Sequence, residues 1–64
     1  MKMTYMKAAT AAVRYEKVGQ YDQAALFWRR AEGAALIPVN QAWASLRAEV
    51  CEKRHVLLMV PAGR

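Results

Sequence analysis

The chain has few of the residues that stabilise small folds covalently or through metal ions. Its 64 residues include one cysteine, Cys51, and one histidine, His55. A single thiol excludes an internal disulfide, and these two side chains supply too few ligands for a structural zinc site. A chain of this length is near the lower limit for folding alone and commonly gains stability by association. We therefore expect one domain without metal or cofactor that forms a homodimer or higher homo-oligomer, or binds a partner.

Long hydrophobic runs are also scarce. The longest run of large apolar residues extends only from Val56 to Val60, far short of the roughly 20 residues of a membrane span. No long apolar segment follows Lys2, so the sequence predicts no signal peptide. A lone unpaired thiol suits a reducing compartment. These features predict a cytoplasmic protein that does not enter the membrane.

Acidic residues are outnumbered two to one, with 10 Lys and Arg against 5 Asp and Glu and a net charge of +5. Such a balance in a small domain favours an acidic protein surface or nucleic acid as partner. The basic residues are spread along the chain and form two adjacent pairs but no polybasic block. These pairs could contact a partner or simply form a solvated face. The candidates are Arg29, Arg30, Lys53 and Arg54.

Sequence signatures of catalysis are missing as well. The chain has no phosphate-binding loop, no metal-ligand cluster and no pair of carboxylates spaced for acid–base chemistry. Cys51 and His55 are four residues apart and could form a thiolate–imidazole pair on a helix. The sequence places no orienting acid or oxyanion loop beside them, so we interpret Cys51 as a buried structural residue. We predict no enzyme and no catalytic residue.

What remains is helix-forming sequence. The low content of glycine and proline predicts an all-α fold with three helices over about 4–18, 22–36 and 40–56, and a short apolar tail over 57–64. Short loops between the helices imply antiparallel neighbours.

Local signals mark where these helices begin and end. Thr4, Asp22 and Asn40 are predicted N-caps, because their side-chain oxygens can accept from first-turn amides. Gly19 can adopt a positive φ and end the first helix. Pro38 is expected to end the second helix.

Small and aromatic residues recur at helical spacing around residues 19–31. Ala24, Trp28 and Ala31 share one face of the second helix, a surface that another helix can approach closely. Large side chains such as Trp28 and Trp43 could fill the core, anchor an interface, or do both in a core shared by a dimer. The candidate interface or shared-core residues are Tyr15, Tyr21, Phe27, Trp28, Trp43, Leu46, Arg47 and Val50.

The first two helices resemble a single tetratricopeptide repeat, a pair of helices with small and aromatic residues at fixed positions. A single repeat cannot bury its own face, so the resemblance concerns helix packing rather than a peptide-binding array. The matching residues are Ala12, Tyr15, Gly19, Tyr21, Ala24, Trp28 and Ala31.

A second resemblance extends over the chain as far as Arg54. The alanine-rich first helix, the segment from Gly19 to Ala31 and the third helix are similar to the ANR family, small negative regulators of AraC/XylS-type transcription activators. Its most specific part in this sequence is the run Asn40, Trp43, Arg47 and Cys51. The resemblance implies direct binding to an activator, which blocks the activator's dimerisation or DNA binding, and it implies no catalysis.

Three functions are therefore compatible with the sequence. The first is a transcriptional regulator that binds an AraC/XylS-type activator through helix faces. The second is a small basic DNA-binding regulator, whose third helix would offer Gln41, Ser45, Arg47 and Glu49 to the bases. The third is a purely structural oligomerisation module. We favour the first, because Arg47 is predicted to lie against the Trp43 face rather than among exposed polar side chains.

Overall fold

Three helices make up the computed structural model, which describes residues 4–59. They are α1 (Tyr5–Lys17), α2 (Tyr21–Ala34) and α3 (Pro38–Met59). No strand occurs within the described range. The predicted all-α fold of three helices is confirmed. The end of the predicted tail, residues 60–64, lies outside the described residues.

Local side-chain and backbone signals set the ends of α1. The Thr4 side chain accepts a hydrogen bond from the Lys7 amide at 3.2 Å, as expected of an N-cap. At the other end Gly19 has φ of 78°. The Gln20 amide donates to the Tyr15 carbonyl at 2.9 Å, and the Gly19 amide donates to the Glu16 carbonyl at 3.1 Å. This pair of bonds is a Schellman motif, which needs a residue in the left-handed region.

The second helix begins earlier and ends earlier than the sequence indicates. Its N-cap is Gln20, which makes no side-chain cap bond. Asp22 therefore lies inside the first turn, where its negative charge interacts favourably with the positive end of the helix dipole. The prediction that Asp22 is the N-cap is wrong. The Schellman motif ends at Gln20 and α2 follows directly, so Tyr21 is the first helical residue. Its end at Ala34 rather than residue 36 follows from the extended backbone of Ala35.

Pro38 starts the third helix and does not end the second, which already stops at Ala34. Pro38 is the first residue of α3, a position where the missing amide costs no hydrogen bond. The Ile37 carbonyl accepts from the amides of Asn40 and Gln41 at 3.0 and 3.1 Å. Asn40 is therefore helical and not an N-cap. The helix continues to Met59, so residues 57–59 of the predicted tail belong to α3.

Alanine dominates the core. The second helix is central, packing against α1 on one side and α3 on the other. Small side chains at these contacts let helix backbones approach closely. The partly buried rings of Tyr5, Tyr15, Tyr21 and Phe27 surround the core. The buried residues are Ala8, Ala12, Ala24, Ala25, Trp28, Ala31, Ala44, Ala48 and Cys51.

Only one of the two tryptophans belongs to this core. Trp28 is 3% exposed, whereas Trp43 is 50% exposed. The interpretation that both rings fill the core of a single chain does not hold, because Ala44, Ala48 and Cys51 occupy the core-facing side of α3.

Candidate protein-interaction site

A carboxylate on α1 joins all three helices. The Trp28 indole Nε1 of α2 donates to Glu16 Oε2 at 2.5 Å, and the Arg47 guanidinium of α3 donates to Glu16 Oε1. Both ionic partners are mostly shielded from solvent, with Glu16 17% and Arg47 26% exposed. Charge-assisted bonds of this kind are stronger than neutral ones. Glu16 therefore fixes the position of Arg47 relative to the core tryptophan.

The protonation equilibria reflect this arrangement. Burial by itself raises the pKa of Glu16, but hydrogen bonds from Arg47 and Trp28 and the positive charge of Arg47 outweigh it and hold the pKa below its ordinary value. The hydrogen bond to Glu16 in turn raises the pKa of Arg47. The ion pair consequently stays charged at neutral pH.

Next to this ion pair, α3 presents large apolar side chains to solvent. Trp43 is 50% and Leu46 is 53% exposed. The Arg47 guanidinium lies over the Trp43 ring, 5.8 Å from its centroid, within the distance of a cation–π contact. Val50 is half-buried one turn further along. We call Trp43, Leu46, Arg47 and Val50 the Trp43 surface.

The aromatic candidates on α1 and α2 pack against one another instead of joining this surface. The rings of Tyr15 and Phe27 stack with centroids 5.4 Å apart and planes 20° apart. The Arg30 guanidinium covers the Phe27 ring at 4.9 Å. These three residues pack together at the edge of the core, where α1 contacts α2.

A similar contact joins the start of α2 to the last third of α3. The Arg54 guanidinium lies 5.5 Å from the centroid of the Tyr21 ring, and its Nη1 donates to the Tyr21 hydroxyl at 3.4 Å. Arg54 is therefore engaged within the chain.

The other basic candidates differ in how far they are neutralised. Arg29 donates to both carboxylate oxygens of Glu52 at 3.0 Å and to Glu32 at 3.1 Å, and these bonds raise its pKa above the ordinary arginine value. The exposure of this network limits its contribution to stability. Lys53 is exposed and, of these four candidates, is the one most available to a partner.

The thiol of the predicted Cys51–His55 pair is shielded from solvent. Cys51 is fully buried. Burial, reinforced by the nearby Glu16 carboxylate, raises the pKa of the Cys51 thiol to about 11. A neutral thiol at physiological pH is a poor nucleophile, which fits the structural interpretation of Cys51.

The sequence pattern did not indicate the central role of Glu16. The signal available was that Glu16 is the one acidic residue of α1, a helix with three basic residues. Its partner Arg47 lies 31 residues away, and no local spacing predicts a contact at that distance. The half-exposed position of Trp43 could not be predicted either, because the spacing of apolar residues on α3 does not show which face of the helix another helix covers.

None of the helices within residues 4–59 combines the length and apolar content needed to cross a membrane. No group of three or more histidine, cysteine, aspartate or glutamate side chains in this range is placed to hold a metal ion.

The chain matches no family model, no curated protein and no solved structure.

Proposed function

We propose that this chain is a non-catalytic regulator that binds a transcription activator of the AraC/XylS type in the cytoplasm and blocks its dimerisation or DNA binding. The observation that carries the proposal is the exposure of Trp43 and Leu46 beside an arginine held by Glu16. Tryptophan and arginine are the residues most enriched in interface hot spots. The resemblance of Asn40, Trp43, Arg47 and Cys51 to the ANR family supplies the class of partner.

The fixed orientation of the Arg47 side chain in the free protein favours binding of a partner. An arginine already paired with Glu16 and lying over the Trp43 ring loses little side-chain entropy when a partner docks. The apolar side of the surface provides affinity, while the net charge of +5 speeds encounter with an acidic partner.

A gel-shift experiment with an AraC/XylS-type activator and its promoter DNA tests the proposal. Added in excess, the protein is expected to abolish the activator's shift and to produce no shift when mixed with the DNA alone. A salt-sensitive shift from the protein alone would support the DNA-binding alternative instead, because phosphate contacts weaken steeply with salt.

Two matched substitutions on α3 locate the activity. Leu46→Ala and Leu57→Ala remove the same side chain from one helix at positions that are 53% and 69% exposed. We expect Leu46→Ala to weaken inhibition of the activator by about tenfold or more and Leu57→Ala to leave it unchanged. Equal effects of the two changes would contradict a role for the Trp43 surface.

The two tryptophans separate folding from binding. Trp28→Ala should cost about 3–5 kcal/mol of stability, since the ring is buried. Trp43→Ala should leave a cooperative thermal transition close to that of the unaltered chain while abolishing inhibition. A Trp43→Ala protein that melts early would show that this ring supports the fold or a homo-oligomer rather than a contact with the activator.

A further inference from the structure

A second surface lies on the outer side of α1, away from the Trp43 surface. A shallow, open groove of about 640 Å³ runs along this helix to the turn at Gln20. Its lining includes Met6, Lys7, Ala11, Arg14, Tyr15 and Val18. We call these residues the α1 groove.

The helical register of α1 alternates basic and apolar residues along the groove. Lys7, Ala11 and Arg14 recur at four and three residues, so they share one side of α1, and the C-cap residue Val18 follows four residues later. Met6 and Val18 are large apolar residues left 69% and 68% exposed. The two cations are seven residues apart, two turns or about 10 Å along the axis.

The charge in the groove is not balanced within the chain. No acidic side chain lines the groove over the residues that the structure describes. Glu16, the one carboxylate of α1, is held by Arg47 and Trp28 and so does not offset Lys7 and Arg14. A surface of positive charge interleaved with apolar side chains is complementary to the reverse pattern, carboxylates flanking apolar residues.

We propose that the α1 groove binds an acidic amphipathic helix of a partner protein, with two carboxylates seven residues apart against Lys7 and Arg14 and apolar residues between them against Ala11 and Tyr15. A helix matches the site because its i, i+7 spacing reproduces the separation of the two cations. A second copy of this chain fits poorly, because its net charge of +5 opposes that of the groove. The inference does not depend on the activator-binding proposal, since it uses a different helix.

Fluorescence anisotropy with a synthetic peptide tests this inference. The probe is a labelled helical peptide of about 18 residues with glutamates at i and i+7 and leucines at i+3 and i+4, mixed with the full chain. Saturable binding is expected, and the affinity should fall at least tenfold when the glutamates are replaced by lysines. Replacing the leucines by alanines should also weaken it, because the apolar lining is part of the site.

Matched variants assign the binding to the groove. Arg14→Glu and Lys53→Glu make the same charge change at exposed helical positions, one inside the groove and one on α3. Arg14→Glu is expected to weaken peptide binding at least tenfold and Lys53→Glu less than threefold. Equal losses would mean that net charge alone attracts the peptide and would overturn the proposal.

Binding measurements with other anionic partners, a DNA duplex and phosphatidylserine vesicles, complete the test. Absence of peptide binding, or tighter Arg14-dependent binding to a DNA duplex or to phosphatidylserine vesicles than to the peptide, would also overturn it. Trp43→Ala leaves the groove intact, so it should bind the peptide normally even if it no longer inhibits the activator. The two proposals can therefore fail separately.

Discussion

At the scale of single residues, Glu16 links folding to pH. Its pKa is lowered in the folded chain from a reference of 4.5, so the ion pair adds stability above that pH, and the contribution is lost as the pH falls through the lower, folded-state pKa. Glu16→Gln should cost about 1–3 kcal/mol of stability at neutral pH, and this cost should shrink as the pH falls below 4.5 and the carboxylate becomes protonated. Urea unfolding of both proteins across this range measures it. A difference that stays constant with pH would refute a charged role for Glu16.

Cys51 provides a second residue-scale prediction. Because the thiol is fully buried and its pKa is raised to about 11, the native chain should react with a thiol reagent at pH 8 at least about 100-fold more slowly than the urea-unfolded chain. Timed alkylation followed by mass spectrometry gives both rates. Rapid labelling of the native chain would mean that α3 opens readily or that the thiol is activated.

At the scale of helices, the two glycines of α1–α2 should respond to alanine in opposite directions. Gly19 has φ of 78° in the Schellman turn, so Gly19→Ala should destabilise the fold by about 1–2 kcal/mol. Gly33 lies inside α2 with open space where a Cβ would stand, so Gly33→Ala should stabilise it by up to about 1 kcal/mol. The midpoint temperatures of thermal unfolding of the two variants, compared with that of the unaltered chain, measure both effects. Changes of the same sign would show that packing, not backbone conformation, governs one of these positions.

Helix ends that depend on nearby residues could be predicted from the sequence. Thr4 and Gly19 act through bonds to residues within five positions, so their roles could be predicted from composition and spacing. Asp22 and Asn40 have the same capping chemistry, but α2 already begins at Tyr21 and α3 at Pro38, so both residues lie inside the first turn of their helix. Contacts between helices, such as Glu16 with Arg47, depend on the packing of α2 between its neighbours, and a local pattern does not contain that information.

At the scale of the whole molecule, charge and apolar exposure act against each other in self-association. The chain carries a net charge of +5, which repels a second copy, while Trp43, Leu46 and the exposed Val56–Met59 turn of α3 favour burial against one. If the chain forms a homodimer through these residues, added salt should screen the repulsion and strengthen the dimer, since the Debye length falls from about 30 Å at 0.01 M to about 8 Å at 0.15 M. Sedimentation velocity over a concentration series at each salt level measures the dissociation constant. A dimer that weakens with salt would instead be held by ion pairs, with Lys53 and Glu49 of α3 as the exposed charges to reverse first.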